Sequence, residues 1–199
     1  YIDSLTGSNN RNGFIRMAEN VLHNAKRRTD YALMFLDIKN FKATNELFGT
    51  EGGDMILRDF YARINDFWEP EVSGRLDTDH FVCLVKQDHV DLESMAAKLK
   101  ITAQLKGRSM KLYGYCGIYC LNESDTDVSG MIDRAKLAEE SILGDHVQPF
   151  AVFDDSMRRI YMDQVELMGE YESAIANGEF KVYYQPVVEA ATGNLVSAE

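Results

Sequence analysis

Two aspartates and a histidine are the residues best placed to do chemistry. Asp37 ends a short apolar run, "YALMFLD" at 31–37, while Asp79 and His80 lie within "GRLDTDHFVCLV" at 74–85. In that second stretch four polar residues, Asp77 to His80, separate two strand-like halves, which predicts a hairpin tip. If the two strands are neighbours in a βαββ unit, Asp37 and Asp79 converge. Two hard oxygen donors with room for water and phosphate suit Mg2+ better than zinc. Together with a nucleotide, such an ion would activate a hydroxyl for phosphoryl or nucleotidyl transfer. The same spacing fits a plainer alternative, in which Asp37 caps the next turn and Asp79 is a solvated hairpin residue.

The elements that must position these residues follow from hydrophobic periodicity. Residues 11–28 read as an amphipathic helix, with Phe14, Ile15, Ala18, Val21 and Leu22 on one face. The run 31–37 reads as a buried central strand. Residues 40–54 are polar and Gly-punctuated, a connection holding a helical turn. A helix follows through Met55, Ile56, Phe60, Ile64, Phe67 and Trp68, and Pro70 closes it. After the hairpin at about 73–85 come a helix over 91–106, with Leu92, Met95, Ala96, Leu99 and Leu105 inward, and a strand over 110–121. A helix over 128–143 and a short strand at 150–153 complete the unit. This βαββαβ order predicts an α+β, ferredoxin-like core: a mostly antiparallel sheet with helices over one face.

Residues 155–177 form a long helical pattern with an apolar stripe of Met157, Ile160, Tyr161, Val165, Leu167 and Met168. They read as a connector after a domain at 1–154. Residues 178–199 read as two strands around a Thr-Gly turn, the beginning of another domain. Packing of the stripe within the chain, or a helix-mediated homodimer, would bury it.

Composition narrows the function classes. The chain has 199 residues, 45% hydrophobic and 27% charged, which suits a folded core rather than global disorder. Its net charge of −11 repels phosphate backbones, so nucleic acid is not an expected partner. A metal-bound nucleotide remains compatible, because the ion carries the compensating charge. Cys83, Cys116 and Cys120 lack CxxC spacing and read as buried thiols of a reducing compartment. No run is long enough to span a bilayer. The chain is therefore expected to be cytoplasmic and a piece of a longer protein, whose other segments are open to membrane anchoring.

Several motifs, in order, resemble those of the GGDEF family, the diguanylate cyclase domains of bacterial second-messenger signalling. "DSLTGSNNRNGF" is similar to the opening D-x-LTG-x-x-NR-x-x-F. "LDIKNFKATNELFGTEGGD" resembles LD-I-D-x-FK-x-IND-x-x-GH-x-x-GD, and "GRLDTDHF" occupies the place of R-L-G-G-D-E-F. "YGYCGIY" stands for the strand usually read S-I-G, and "IDRAKLAEES" for A-D-x-A-M-Y-x-A-K. The tail, "GEFKVYYQPVVEAATGNLVSAE", resembles the first strands of an EAL cyclic di-GMP phosphodiesterase domain. The resemblance implies a nucleotide-cyclase-like fold that joins two GTP into cyclic di-GMP with Mg2+ or Mn2+. It implies that Asp37, the Ile38 carbonyl and Asp79 hold metal, that Asn45 and Asp54 read the guanine edge, and that Lys42 lies near phosphate. Glu199 would match the first metal carboxylate of the EAL domain, and no phosphodiesterase activity is expected from this chain.

The departures bear on turnover. In the signature loop Asp77 to Phe81, Asp77 and Thr78 stand where the family has two glycines, which let backbone approach phosphate. Asp77 also adds a negative charge, and two unit charges 4 Å apart interact by about 4 kcal/mol at an effective dielectric near 20. His80 replaces a glutamate, Lys39 an Asp or Asn, and Thr50 a histidine. Glu140 replaces a phosphate-facing lysine, and Gly144, followed by Asp145, stands where an arginine is usual four residues later. Trp68 and Glu71 occupy the positions of the R-x-x-D product-inhibition site, which is expected to be missing. Three readings follow. The chain is a degenerate domain that regulates an adjoining EAL phosphodiesterase by dimerising or by weak GTP binding, a working cyclase, or a pure interaction and dimerisation module.

Overall fold

The structure is a computed structural model that describes residues 1–105, 108–144 and 147–199. Contacts divide the chain into two units, residues 1–158 and 159–199. In chain order the first unit contains α1 (Arg11–Asn24), β1 (Tyr31–Ile38), α2 (Phe41–Trp68), β2 (Val72–Asp77) and β3 (His80–Lys86). It continues with α3 (Leu92–Lys98), β4 (Lys100–Leu105), β5 (Arg108–Cys120), α4 (Val128–Glu140) and β6 (Phe150–Val152). The sheet order is β2-β3-β1-β5-β4, antiparallel throughout, and β6 pairs in parallel with β5 further along that strand than β4. With α2 and α3 as the crossovers, β2-β3-β1-β5 is the expected ferredoxin-like core.

Helices cover both faces of this sheet, not one. Met34, Leu36 and Ile38 of β1 pack with Ile56, Phe60, Ile64 and Trp68 of α2 and with Met95 beside them on α3. Leu33 and Phe35 face the other way, onto Phe14, Ala18 and Leu22 of α1 and Met131, Ile132 and Ala135 of α4. A strand buried on both faces needs a continuous apolar run, and "YALMFL" supplies one. The helix α1 starts on an Asn10 side chain that accepts from the Gly13 amide. It ends four residues earlier than its periodicity suggests.

Two element boundaries differ from expectation. The connection 40–54 is mostly helical: Phe41–Trp68 is continuous except at Gly49, whose φ of 73° breaks it into two helices. The expected helix over 91–106 stops at Lys98, and Lys100–Leu105 forms a hairpin with β5 instead. Of its expected inward residues, Met95 and Leu99 are fully buried while Leu92 is 44% exposed. The Leu105 side chain lies outside the described residues. Ile101 and Thr102 are β-branched, which favours a strand, and pairing with β5 satisfies their backbone.

In the second unit, the part of α5 (Asp155–Ala176) that belongs to it has no buried residue. Tyr171 stacks on Phe180 with ring centroids 5.8 Å apart. Strands β7 (Pro186–Val188) and β8 (Leu195–Ala198) pair antiparallel around the Thr-Gly turn. Among the described residues, no helix is long and apolar enough to cross a membrane.

Candidate functional site

Sheet register brings the aspartates together. Leu36 of β1 pairs with Phe81 of β3, so Asp37, one step on, lies beside His80 at the hairpin tip. Thr78 and Asp79 form the two-residue turn, flanked by the Asp77–His80 pair. None of residues 77–80 takes a left-handed φ, so this tip accepts side chains where the family carries glycine. Phe81 anchors it, fully buried edge-on to Phe60 at 5.4 Å and stacked on Tyr61 at 6.2 Å. Arg75 braces it further: its Nε donates to the Thr78 carbonyl at 2.9 Å, and its Nη1 reaches Asp3 at 3.2 Å.

Ligand atoms of Asp37, Asp79 and His80 all lie within 4.8 Å of one another. His80 Nε2 is 3.9 Å from Asp37 Oδ1, and its Nδ1 is 2.5 Å from Asp77 Oδ1. Asp37 Oδ1 is buried and has no hydrogen-bond partner. Burial, and then the Asp79 charge, push the Asp37 carboxyl up to about 6 against the opposing pull of His80. Crowded, under-bonded oxygens beside an imidazole are a donor set that fits a divalent cation. Ile38 has its side chain in the core at 1% exposure, so only its backbone can take part.

A neighbouring cleft of about 430 Å³ is lined by Phe41, Lys42, Asn45, Asp54, Arg75, Thr78 and Asp79, among others. The structure thus brings Lys42, Asn45 and Asp54 to the same tip as Asp79. Asn45 lies directly over Gly53, where any Cβ would collide with its amide oxygen. Neither the Asn45 amide nor the Asp54 carboxylate is hydrogen-bonded by a described residue. They therefore do not brace the 40–54 segment through side-chain hydrogen bonds to described residues.

The α4 side differs from expectation. Glu140 is exposed and pairs at 3.5 Å with Lys136 one turn earlier. The carboxylate turned inward is Glu139, 3% exposed with an unpartnered Oε1. Burial, and then the Asp37 charge, push it up to about 8. The sequence carries a signal for this: Glu139 falls four residues after Ala135 and seven after Ile132, on the apolar face of α4. Lys39 lies over the Tyr115 ring at 5.0 Å. Trp68 is buried and Glu71 is 3.9 Å from Lys86. Asp145 lies outside the described residues.

A raised carboxyl pKa destabilises the fold once the group ionises. The Glu139 penalty is absent below about pH 4.5, grows as pH rises, and is complete above about 8. Glu139→Gln should therefore stabilise the fold at pH 8–9, by up to a few kcal/mol at roughly 1.4 kcal/mol per unit, and raise the melting temperature there. The gain should shrink toward pH 5. Thermal melts across that range check it, and a gain independent of pH would refute the assignment.

A ferredoxin-like sheet whose central strand and hairpin tip present paired carboxylates beside a polar cleft defines a nucleotide-cyclase-like domain. The family described as "Diguanylate cyclase, GGDEF domain" matches residues 1–142, and the chain belongs to it. It is similar to the cyclic di-GMP phosphodiesterase NbdA of Pseudomonas aeruginosa, 26% identical over 99% of this chain and 26% of NbdA. It is similar to the diguanylate cyclase DgcP of Escherichia coli, 30% identical over 69% of this chain and 43% of DgcP. The GGDEF domain of TpbB (YfiN) from Pseudomonas aeruginosa superposes with a TM-score of 0.71 at 22% identity, covering 81% of this chain and 99% of that one. The chain thus spans less than half the length of NbdA and of DgcP.

Proposed function

We propose that this GGDEF domain binds GTP without cyclising it and regulates an adjoining EAL phosphodiesterase domain. The observation that carries the reading is the split character of the site. On the α2 side, Asn45 and Asp54 keep free polar edges in a cleft that also holds Lys42. Around the tip, Asp77 and Thr78 add side chains where the family's glycines would let phosphate approach, and Glu139 adds a buried carboxylate close enough to feel the Asp37 charge. Bound Mg2+ or Mn2+ would be held by Asp37, Asp79 and the Ile38 carbonyl, and would neutralise phosphate charge. The residues themselves orient the base through Asn45 and Asp54 and offer Lys42 to phosphate.

The tail supports the EAL half of the proposal. The match to NbdA runs over nearly the whole chain, whereas the match to DgcP covers 69% of it. Residues 178–199 are then the first strands of that domain, and 155–177 the connector. A working cyclase is the second reading, favoured by the convergence of Asp37 and Asp79 that such an enzyme needs. Calorimetry with GTP and Mg2+ tests the proposal: one GTP per chain is expected. Absence of heat with both GTP and GDP would leave a pure interaction module instead.

A further inference from the structure

The signature's two oddest substitutions act on each other. Asp77 replaces a glycine and His80 a glutamate, and their side chains meet at 2.5 Å. A carboxylate on one imidazole nitrogen fixes the ring and makes the other nitrogen a better metal ligand. Here the held nitrogen is Nδ1, which leaves Nε2 facing Asp37 at 3.9 Å. Phe35, 2% exposed, packs against the same ring with centroids 5.2 Å apart. The imidazole is thus oriented from two sides. Strand alternation puts Asp37, Phe35 and His80 on the sheet face that α4 covers.

We propose that Asp37, Asp79 and His80 form a binding site for a divalent transition-metal ion of the zinc type, occupied without nucleotide and positioned by Asp77. This rests on reading the Asp37–Asp79 pair as a cation place, and is independent of guanine recognition. Three observations point to an ion. Asp37 Oδ1 is buried and unbonded, although three potential ligand atoms lie within 4.8 Å of one another. Glu139, 97% buried, adds a second unpartnered carboxylate oxygen on the same side. Among the described residues, no lysine or arginine forms an ion pair with Asp37 or Asp79, and the group paired with Asp37 is the His80 imidazole itself. Ligand atoms about 2.0–2.2 Å from zinc stand roughly 3.3–3.6 Å apart in tetrahedral geometry, and the three ligand atoms here already lie within 4.8 Å of one another.

The imidazole decides the class of ion. Mg2+ demands near-octahedral oxygen and gains its affinity from nucleotide phosphates. Imidazole nitrogen suits zinc and its first-row neighbours. The family's glutamate at position 80 would leave an all-oxygen site, so the change to His80 alters which metal binds and whether a nucleotide must accompany it. The two carboxylates and one imidazole leave at least one position open on the ion. Phosphate or water can occupy that position.

Titration of the metal-free chain with ZnCl2, and separately with MgCl2, tests this in the absence of nucleotide. One Zn2+ per chain is expected, with no Mg2+ binding at the same concentrations. Asp77→Ala should weaken Zn2+ by about 10–100-fold, the usual effect of removing a ligand's outer partner. His80→Glu should weaken it more. Long-range proton–nitrogen spectra should show the His80 Nε2 resonance shifting as Zn2+ is added. Both positions are partly exposed, and melting curves verify that the variants fold. Zinc affinity unchanged by His80→Glu, no one-to-one event, or an unmoved Nε2 resonance would each overturn the proposal. A chain that binds GTP with Mg2+ but rejects Zn2+ has no zinc site, while its nucleotide-binding role stands. A chain that takes up one Zn2+ but no GTP keeps the zinc site and loses the nucleotide-binding role.

Discussion

Gly117→Ala is expected to cost the first unit about 3 kcal/mol or more, the largest single-residue effect on its stability. A Cβ at this position would sit far inside contact distance of the Ala135 carbonyl and 2.5 Å from the Glu139 amide. Both are backbone atoms of α4, so no rotamer change relieves the clash. The helix must move off β5. That opens the face where Met131, Ile132 and Ala135 pack on Leu33 and Phe35. It also displaces Glu139 from the aspartates. For a domain of this size the melting temperature should fall by roughly 10 °C. Gly169→Ala, in open space within α5, is the control and should be neutral or slightly stabilising. A Gly117→Ala chain that melts with the wild type would show that α4 does not approach β5 this closely.

The second large effect concerns recognition. Asp54→Ala should reduce GTP affinity by about 100-fold, and Asn45→Ala by about 10-fold. A carboxylate can accept from the two N–H groups on the guanine edge, and hydrogen bonds to a charged partner contribute about 1.5–3 kcal/mol. Adenine lacks that donor pair, so ATP should bind the wild type much more weakly than GTP and respond little to Asp54→Ala. Both residues line the cleft and carry no hydrogen bond from a described residue, so their loss leaves no protein group unpaired. Calorimetry with both nucleotides reads the difference. Equal loss of GTP and ATP binding would mean that Asp54 acts on the shape of the cleft rather than on the base.

The core and the aspartate pair are legible in the sequence for a common reason: alternation and motif order are local. "YALMFLD" announces a buried strand ending in a carboxylate, and the hairpin with its polar tip follows from four residues between two apolar halves. The double-sided burial of β1 is written in the same unbroken run, although the covering of both faces depends on where α1 and α4 dock. Residues 99–106 are ambiguous, because Leu99, Ile101 and Leu105 fit a helical stripe as well as a strand. Only the β5 partner decides between them. Glu139 is hidden for a different reason: the family motif points to its neighbour Glu140. The apolar face of α4, followed by period rather than by motif, singles out Glu139. The pairing of Asp77 with His80 depends on the turn geometry, which spacing alone does not give.

Whether this domain holds GTP without turning it over is settled most directly by one measurement. It is the cyclic di-GMP formed when the chain, at high concentration, is saturated with GTP and supplied with Mg2+ or Mn2+. Bound GTP and no product are expected. Cyclic di-GMP that accumulates, and that Asp79→Ala abolishes, would contradict this and establish a working cyclase.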